Sequence, residues 1–399
     1  MVPNTHPRAL SSLLGLAVRI AQRMKLDSEL NCSKHGVLEG ELRRRLWWAL
    51  VLFDSRICEL AEYKTHTLTP SWDCKIPLNV NDTDLRPGMK EPPTPHERPT
   101  DALHAVVRGE LGDFIRNTTF HLNYTAPSLT PIAKDVQNGQ VPDDSEVANL
   151  EKLVDDKYFK FCDEQNPLHF FTIWHNRAYM AKCRLMESYA KSLASGLPHT
   201  EAQHKLGFSV ALCILRCNTK IMTSPLTKGF QWMARLYFPF PAYIHLVHYL
   251  RNEPYSQYAD QAWEAMSENC EPQFDTVFYR KIAVLHMIAR FMLDGWAARE
   301  IASAQSGRPL GPVPWIVTKM RNVLLETQLE QPLSNEKGDG GIAVDLDDFP
   351  MHIPLPFGSG PEQGMCPTTE EPSNVDMNQF DWSALNWNFA PTSAWGASR

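Results

Sequence analysis

Between residues 40 and 62 the apolar side chains return every three or four positions. Leu42, Leu46, Ala49, Leu50, Phe53, Ile57 and Leu60 form one stripe, the spacing of an amphipathic helix about five turns long. The same period recurs in residues 9–26, where Leu10, Leu13, Leu14, Ala17, Ala21 and Met24 share a face. It predicts further helices at 145–165, 168–194, 200–223, 231–252, 257–268, 273–304 and 315–329. Thr100 is placed to cap another that runs through ALHAVVRGELGDFIRN. Strict alternation over five or more residues is nearly absent, so there is little from which to build a sheet. The expected class is all-α: a multi-helix domain with long irregular loops. Two such loops are expected. Residues 64–99 hold seven prolines, and residues 123–144 run through YTAPSLTPIAKDVQNGQVPDD.

Charge divides the chain at about residue 333. Residues 334–399 hold ten acids and two bases, with seven prolines and seven glycines. The remainder holds 37 bases and 36 acids. This predicts a compact helical body over 1–333 and a disordered acidic tail over 334–399. A body so close to neutral does not bind nucleic acid through bulk positive charge. Residues 1–12 carry no apolar core of a signal peptide. The longest uncharged apolar run, Leu236 to Leu250, is 15 residues and contains Pro239 and Pro241, too short to span a bilayer. The chain is therefore expected to be soluble and intracellular, with no membrane partner.

Motifs of catalysis and metal binding are weak. Cys213 and Cys217 stand at i, i+4 on an apolar helix and read as buried free thiols. His245 and His248 lie one turn apart without an HExxH context and read as a core or rim pair. No G-x-S-x-G and no Walker A occurs. Asp155-Asp156 is the best remnant of a metal-binding acidic pair, and a solvated helix face explains it better. No catalytic or metal-ligating residue is assigned, and the chain is expected not to be an enzyme. An all-helical enzyme is the least favoured alternative. The aromatic stretch Phe230, Trp232, Tyr237, Phe238, Phe240 and Tyr243 is a candidate wall for a ligand, though core packing accounts for it more simply.

The most distinctive segment is ELRRRLWWALVLFDSRICEL at 41–60. Arg44 and Arg45 lie one turn before Trp48 and are placed to stack on it. The leucine stripe through the same turns predicts a buried helix whose arginines pair with carboxylates of neighbouring segments. In the tail, residues 376–389 read DMNQFDWSALNWNF. Phe380, Trp382, Leu385, Trp387 and Phe389 interleave with acids, as in segments that fold onto a partner groove.

Three elements in order carry a family resemblance: LLGLAVRIAQRMKL at 13–26, ELRRRLWWALVLFD at 41–54 and IPLNVNDTDL at 76–85. They resemble the regulatory middle homology region of fungal-specific zinc-cluster transcription factors, chiefly over residues 9–90. The matching motif positions are Arg43, Arg44, Arg45, Trp47, Trp48 and Asp54. The resemblance implies a regulator of RNA polymerase II transcription in a fungal nucleus, often of a metabolic gene cluster. It implies an effector-sensing body and an activating tail that meets coactivator or mediator-type proteins, with homo- or heterodimers possible. The six-cysteine zinc cluster of the family is not in this sequence. Zinc and DNA contacts are thus expected only through a region outside it, or through a partner. The alternative is a stand-alone co-regulator that dimerises with a full-length relative.

Overall fold

The computed structural model describes residues 7–61, 68, 71–117, 146–195, 201–274 and 283–330. The loop at 123–144, the tail at 334–399 and its aromatic segment lie outside them. Twelve α-helices and no strand occur among the described residues. In chain order they are α1 (Pro7–Arg23), α2 (Glu29–Lys34), α3 (Val37–Ala61), α4 (Leu103–Asn117), α5 (Glu146–Lys157) and α6 (Pro167–Ser195). They continue with α7 (Glu201–Thr223), α8 (Gln231–Leu236), α9 (Phe240–Asn252), α10 (Ala259–Phe274), α11 (Ala283–Ser306) and α12 (Trp315–Glu330). The all-α class is as the periodicity predicts.

Helix α6 organises the interior. Phe171 and Trp174 enter one apolar cluster with α7 and α8, and Ile173, Tyr179, Met180 and Cys183 enter another with α4 and α5. Ala181, Leu185 and Tyr189 join the largest cluster, shared with α7, α9, α10, α11 and α12. A helix that serves three cores is buried or half-buried on every side between Phe171 and Tyr189, polar positions included. Helix α7 is long and apolar enough to cross a membrane, but 61% of that stretch is buried inside the fold. Its apolarity is that of a core helix.

A fourth cluster holds α1 and α3 together, and here the expected faces are corrected. Leu14, Val18 and Ala21 of α1 point inward, whereas Leu13 and Met24 are exposed, with Leu16 and Ile20 beside them. In α3 the predicted stripe is out of phase with the buried face. Leu42 and Leu46 are about half exposed, at 52% and 51%, and Ala49 faces solvent. The inward face instead carries Glu41, Trp47, Trp48, Val51, Leu52, Asp54, Ser55, Arg56 and Ile57. Leucine periodicity fails because polar side chains with partners elsewhere in the chain occupy inward positions.

The predicted helix at 231–252 is two helices. Pro239 has no N–H to donate, and in a continuous helix its ring would clash with the Arg235 carbonyl four residues back. The backbone therefore turns at Tyr237–Pro239, and Pro241 sits in the first turn of α9, where its missing donor costs nothing.

Candidate functional site

The motif helix α3 is the centre of the site, and its N-terminal half is an ion-pair network. Arg44 Nη2 donates to Glu29 Oε1 of α2 at 2.6 Å, and Arg45 Nη1 donates to Asp82 Oδ1 at 2.6 Å. Arg45 Nε also donates to Glu41 Oε1 at 3.2 Å, one turn back. Arg43 bonds Glu39 on its own helix and donates to the Met24 carbonyl at the end of α1 at 3.1 Å. The three arginines thus bind three different segments.

The same carboxylates pin the loop that follows. Lys75 N–H donates to Glu29 Oε2, and Leu78 N–H donates to Glu41 Oε1, each at 3.1 Å. Glu41 is wholly buried. Burial raises its pKa, and Arg45 beside it opposes the rise. For Glu29, burial raises the pKa too, but the Arg44 hydrogen bond and the Lys75 N–H together outweigh it and hold the carboxyl below its usual range. Asn79 locks the far side of the loop. Its amide donates to the His96 and Arg98 carbonyls at 2.8 Å each, and its oxygen accepts from Thr100 Oγ1 at 2.8 Å. The stretch over 71–100, rich in proline, is therefore held by named bonds, and its regular structure is limited to one short 3-10 turn at Asp82–Asp84.

The two tryptophans are buried to 1% exposure. Trp48 Nε1 donates to the Lys75 carbonyl at 2.8 Å, and Trp72 meets Trp47 and Trp48 edge-on, with centroids 5.6 and 6.2 Å away. The expected stack of Arg44 and Arg45 on Trp48 is corrected. Those side chains are drawn off by carboxylates, and Arg116 of α4 covers Trp48 and Trp72 instead, at 5.6 and 5.1 Å. Gly112 of α4 permits the approach: a Cβ there would stand 3.0 Å from Trp48 Cε3. Asp54, 1% exposed, accepts from Leu68 N–H at 3.1 Å.

At the C-terminal half of α3, buried Arg56 crosses to the α8–α9 break. Its Nε donates to the Leu236 carbonyl at 2.7 Å and its Nη2 to the Phe238 carbonyl at 3.3 Å. It thereby bonds the Leu236 carbonyl at the end of α8 and shares the Phe238 carbonyl with the Phe240 N–H, which donates to it at 2.9 Å. A partly open cavity of about 40 Å³ lies against this break. Arg56, His175, Tyr179, Lys182, Tyr237 and Phe238 contribute to its wall, along with Asn218. Tyr237 lies between two guanidinium groups, Arg56 at 5.4 Å and Arg108 at 5.5 Å from its ring centre. Its hydroxyl accepts from Arg108 Nη2 at 3.1 Å.

His175 meets Tyr237 edge-on at 5.0 Å and stacks on Phe171 at 5.2 Å. Its Nε2 is buried without a hydrogen-bond partner. Burial, and then the charge of Arg108, depress its pKa to about 3, so the imidazole is neutral at physiological pH. Of the six aromatic residues named as a candidate wall, Tyr237 and Phe238 line the cavity. Phe230 stacks on Phe171, Tyr243 stacks on Phe238, and Trp232 is 54% exposed. Sequence reasoning missed Arg56, His175 and Lys182. The nearest signal was the helix-breaking FPFP at 238–241.

The remaining candidate groups are placed as follows. His245 is buried and hydrogen-bonds Tyr189, and His248 contacts Asn252. The Cys213 and Cys217 sulfurs are 3.9 Å apart and unoxidised. Asp155 and Asp156 are exposed near the end of α5. Among the described residues no group of three His, Cys, Asp or Glu side chains is arranged to hold a metal ion.

No protein-family model matches the chain, and no solved structure matches it. Named relatives do. It is 40% identical to the transcriptional regulator AacuB of Aspergillus aculeatus over 97% of this chain and 55% of that protein. It is 38% identical to the transcriptional regulator nsrM of Aspergillus novofumigatus over 98% of this chain and 56% of that protein. The aurofusarin cluster transcription factor aurR2 of Gibberella zeae is 26% identical over 74% of this chain and 43% of its own length. The chain spans about half the length of the first two relatives, and along almost all of its own length it is a homologue of fungal transcriptional regulators.

Proposed function

We propose that this chain is the effector-sensing and activating part of a fungal zinc-cluster type transcription factor that controls a biosynthetic gene cluster. The observation that carries the reading is the similarity to named regulators, 40% and 38% over nearly the whole chain. The motif helix supports it from within. Its arginines, tryptophans and aspartate have structural duties that tie α1, α2 and the 71–100 loop into one unit, as expected of a regulatory domain rather than a catalytic one. In this reading the body, residues 1–333, relays a signal to the tail, 334–399. The tail engages coactivator or mediator-type proteins through Phe380, Trp382, Leu385, Trp387 and Phe389. The protein acts in the nucleus. DNA contact, and any zinc, belong to a region outside this sequence or to a partner. Deleting the gene tests the reading. A contiguous set of biosynthetic transcripts is expected to fall; an unchanged transcriptome overturns it.

A second reading is a co-regulator that works by pairing with a relative or a second copy. One observation favours it. The outward face of α1 carries Leu13, Leu16 and Ile20 at 60, 58 and 50% exposure, and Met24 just after it is 47% exposed, an apolar stripe suited to a protein contact. Light scattering of the chain and of a Leu16→Glu, Ile20→Glu variant tests it. A dimer that the variant converts to monomer supports pairing through this face, and a monomer at all concentrations removes the reading for self-association.

A further inference from the structure

We infer that the outward face of α1 is a docking surface for this chain's own segment 376–389, DMNQFDWSALNWNF. The inference rests on the reading of the tail as the activating part and gives that tail a resting place on the body.

The surface is an apolar stripe on a helix. Leu13, Leu16 and Ile20 of α1 stand at i, i+3 and i+7 and are exposed, with Met24 one turn beyond. At the pitch of an α-helix they share one face. That face turns away from Leu14, Val18 and Ala21, which pack into the cluster with α3. Arg43 of α3 reaches the Met24 carbonyl at the end of the stripe. Leu42 and Leu46, on the turns of α3 around Arg43, are exposed as well. A contiguous apolar stripe rimmed by polar groups is a contact surface.

Charge selects the occupant. Residues 1–26 contain no acid. Arg19 and Arg23 run along one edge of the stripe, Lys25 follows the helix, and all three are exposed. Among the described residues their side chains make no ion pair or hydrogen bond. Such a face calls for an apolar segment that carries acids and no base. Segment 376–389 is one: it holds Asp376 and Asp381 and neither Lys nor Arg. Its Trp382, Leu385 and Phe389 repeat the i, i+3, i+7 spacing of Leu13, Leu16 and Ile20, so as a helix it would match the stripe in length. A second copy of α1 brings the same leucines but only cations, and like charges oppose that pairing.

The tether is long enough. Forty-five residues separate the end of α12 at Glu330 from Asp376. A linker of that length spans roughly 35–40 Å root-mean-square, comparable with the width of a body of this size. Tethering supplies an effective concentration on the order of 1 mM, so a contact with a dissociation constant of about 100 µM is closed about nine-tenths of the time. The aromatic residues that dock are those that engage coactivators in the reading above. Docking and activation therefore exclude each other.

The test uses the full chain with Phe380, Trp382, Leu385, Trp387 and Phe389 changed to Ala, so that its own tail leaves the face open. Fluorescence anisotropy of a labelled 376–389 peptide should give a dissociation constant below about 100 µM on this chain. On the native chain, whose tail competes, the peptide should bind about tenfold more weakly. Ile20→Glu on the five-alanine chain should weaken it at least about tenfold. Ile20 is exposed, so the variant keeps the fold. A peptide with Asp376→Lys and Asp381→Lys should lose binding and regain it on the five-alanine chain bearing Arg19→Glu and Arg23→Glu. Equal affinity for the native and five-alanine chains, or no response to Ile20→Glu, overturns the inference. So does a native dimer that Ile20→Glu splits while the peptide fails to bind, which gives the face to a second copy. A tethered reporter separates this inference from the reading beneath it. Leu16→Glu with Ile20→Glu should raise the output of the whole-chain fusion several-fold, toward that of the tail alone. An active tail with no peptide binding defeats the docking and leaves the activating tail standing. Peptide binding with a silent tail does the reverse.

Discussion

Glu41 shows how much of this fold rests on single polar residues. It is wholly buried, yet it holds Arg45, approaches Arg44 at 3.5 Å and accepts the Leu78 N–H. Removing one member of a buried pair leaves the other uncompensated, which costs more than the pair contributes. Glu41→Ala should therefore destabilise the body by about 3 kcal/mol, measured as the urea midpoint of the whole chain. Arg45 and Asp82 meet nearer solvent, Asp82 being 69% exposed, so Asp82→Ala should cost under about 1 kcal/mol. Trp47→Ala and Trp48→Ala each empty a filled site and should cost about 3–5 kcal/mol; losses near zero for both would mean the indoles are not core. His175 gives a pH dependence. Its pKa is depressed from 6.5 to about 3, so its contribution is complete above pH 6.5 and is lost as pH falls through that window. Protonation on unfolding should lower stability by about 1–2 kcal/mol between pH 7 and pH 5. His175→Phe should flatten that slope, which denaturant titrations at the two pH values would show.

At the scale of elements, the sequence speaks plainly about helix existence and poorly about helix phase. The helices near 9–26, 40–62, 168–194, 200–223 and 315–329 are found close to where the period puts them. Arg44 and Arg45 of α3 do meet carboxylates of neighbouring segments, whereas the carboxylate that Arg43 meets, Glu39, is on α3 itself. The face of α3 was not legible, because periodicity counts leucines and cannot see that Glu41, Asp54 and Arg56 have partners at Leu78, Leu68 and Leu236. The break at Tyr237–Pro239 was legible in principle from Pro239 alone, but the apolar run masked it. The cavity was not, since its wall draws on α3, α6, α7 and the break together. Close packing adds a further contrast. Gly112 abuts Trp48, with 3.0 Å to a Cβ built there, whereas a Cβ on Gly15 meets nothing within 4 Å. Gly112→Ala should destabilise by about 1–3 kcal/mol through overpacking. Gly15→Ala should stabilise by about 0.5–1 kcal/mol, because alanine loses less backbone entropy in a helix. The same sign for both in thermal melts would contradict the α3–α4 packing.

For the whole molecule, four apolar clusters share helices rather than dividing them. Leu52 of α3 belongs to the cluster with α4, α5 and α6, and Leu236 at the end of α8 packs on the cluster of α1 and α3. A change at the α8–α9 break thus has a packed route to the motif helix. Against this body stands a tail of opposite character, with ten acids against two bases in 66 residues. The central claim is that the chain regulates transcription, its body receiving a signal and its tail delivering it. Tethering residues 334–399, and separately the whole chain, to a neutral DNA-binding module upstream of a reporter tests it most directly. Both should activate, and changing Phe380, Trp382, Leu385, Trp387 and Phe389 together to Ala should abolish the output. A silent reporter with either fusion, expressed and nuclear, would contradict the account.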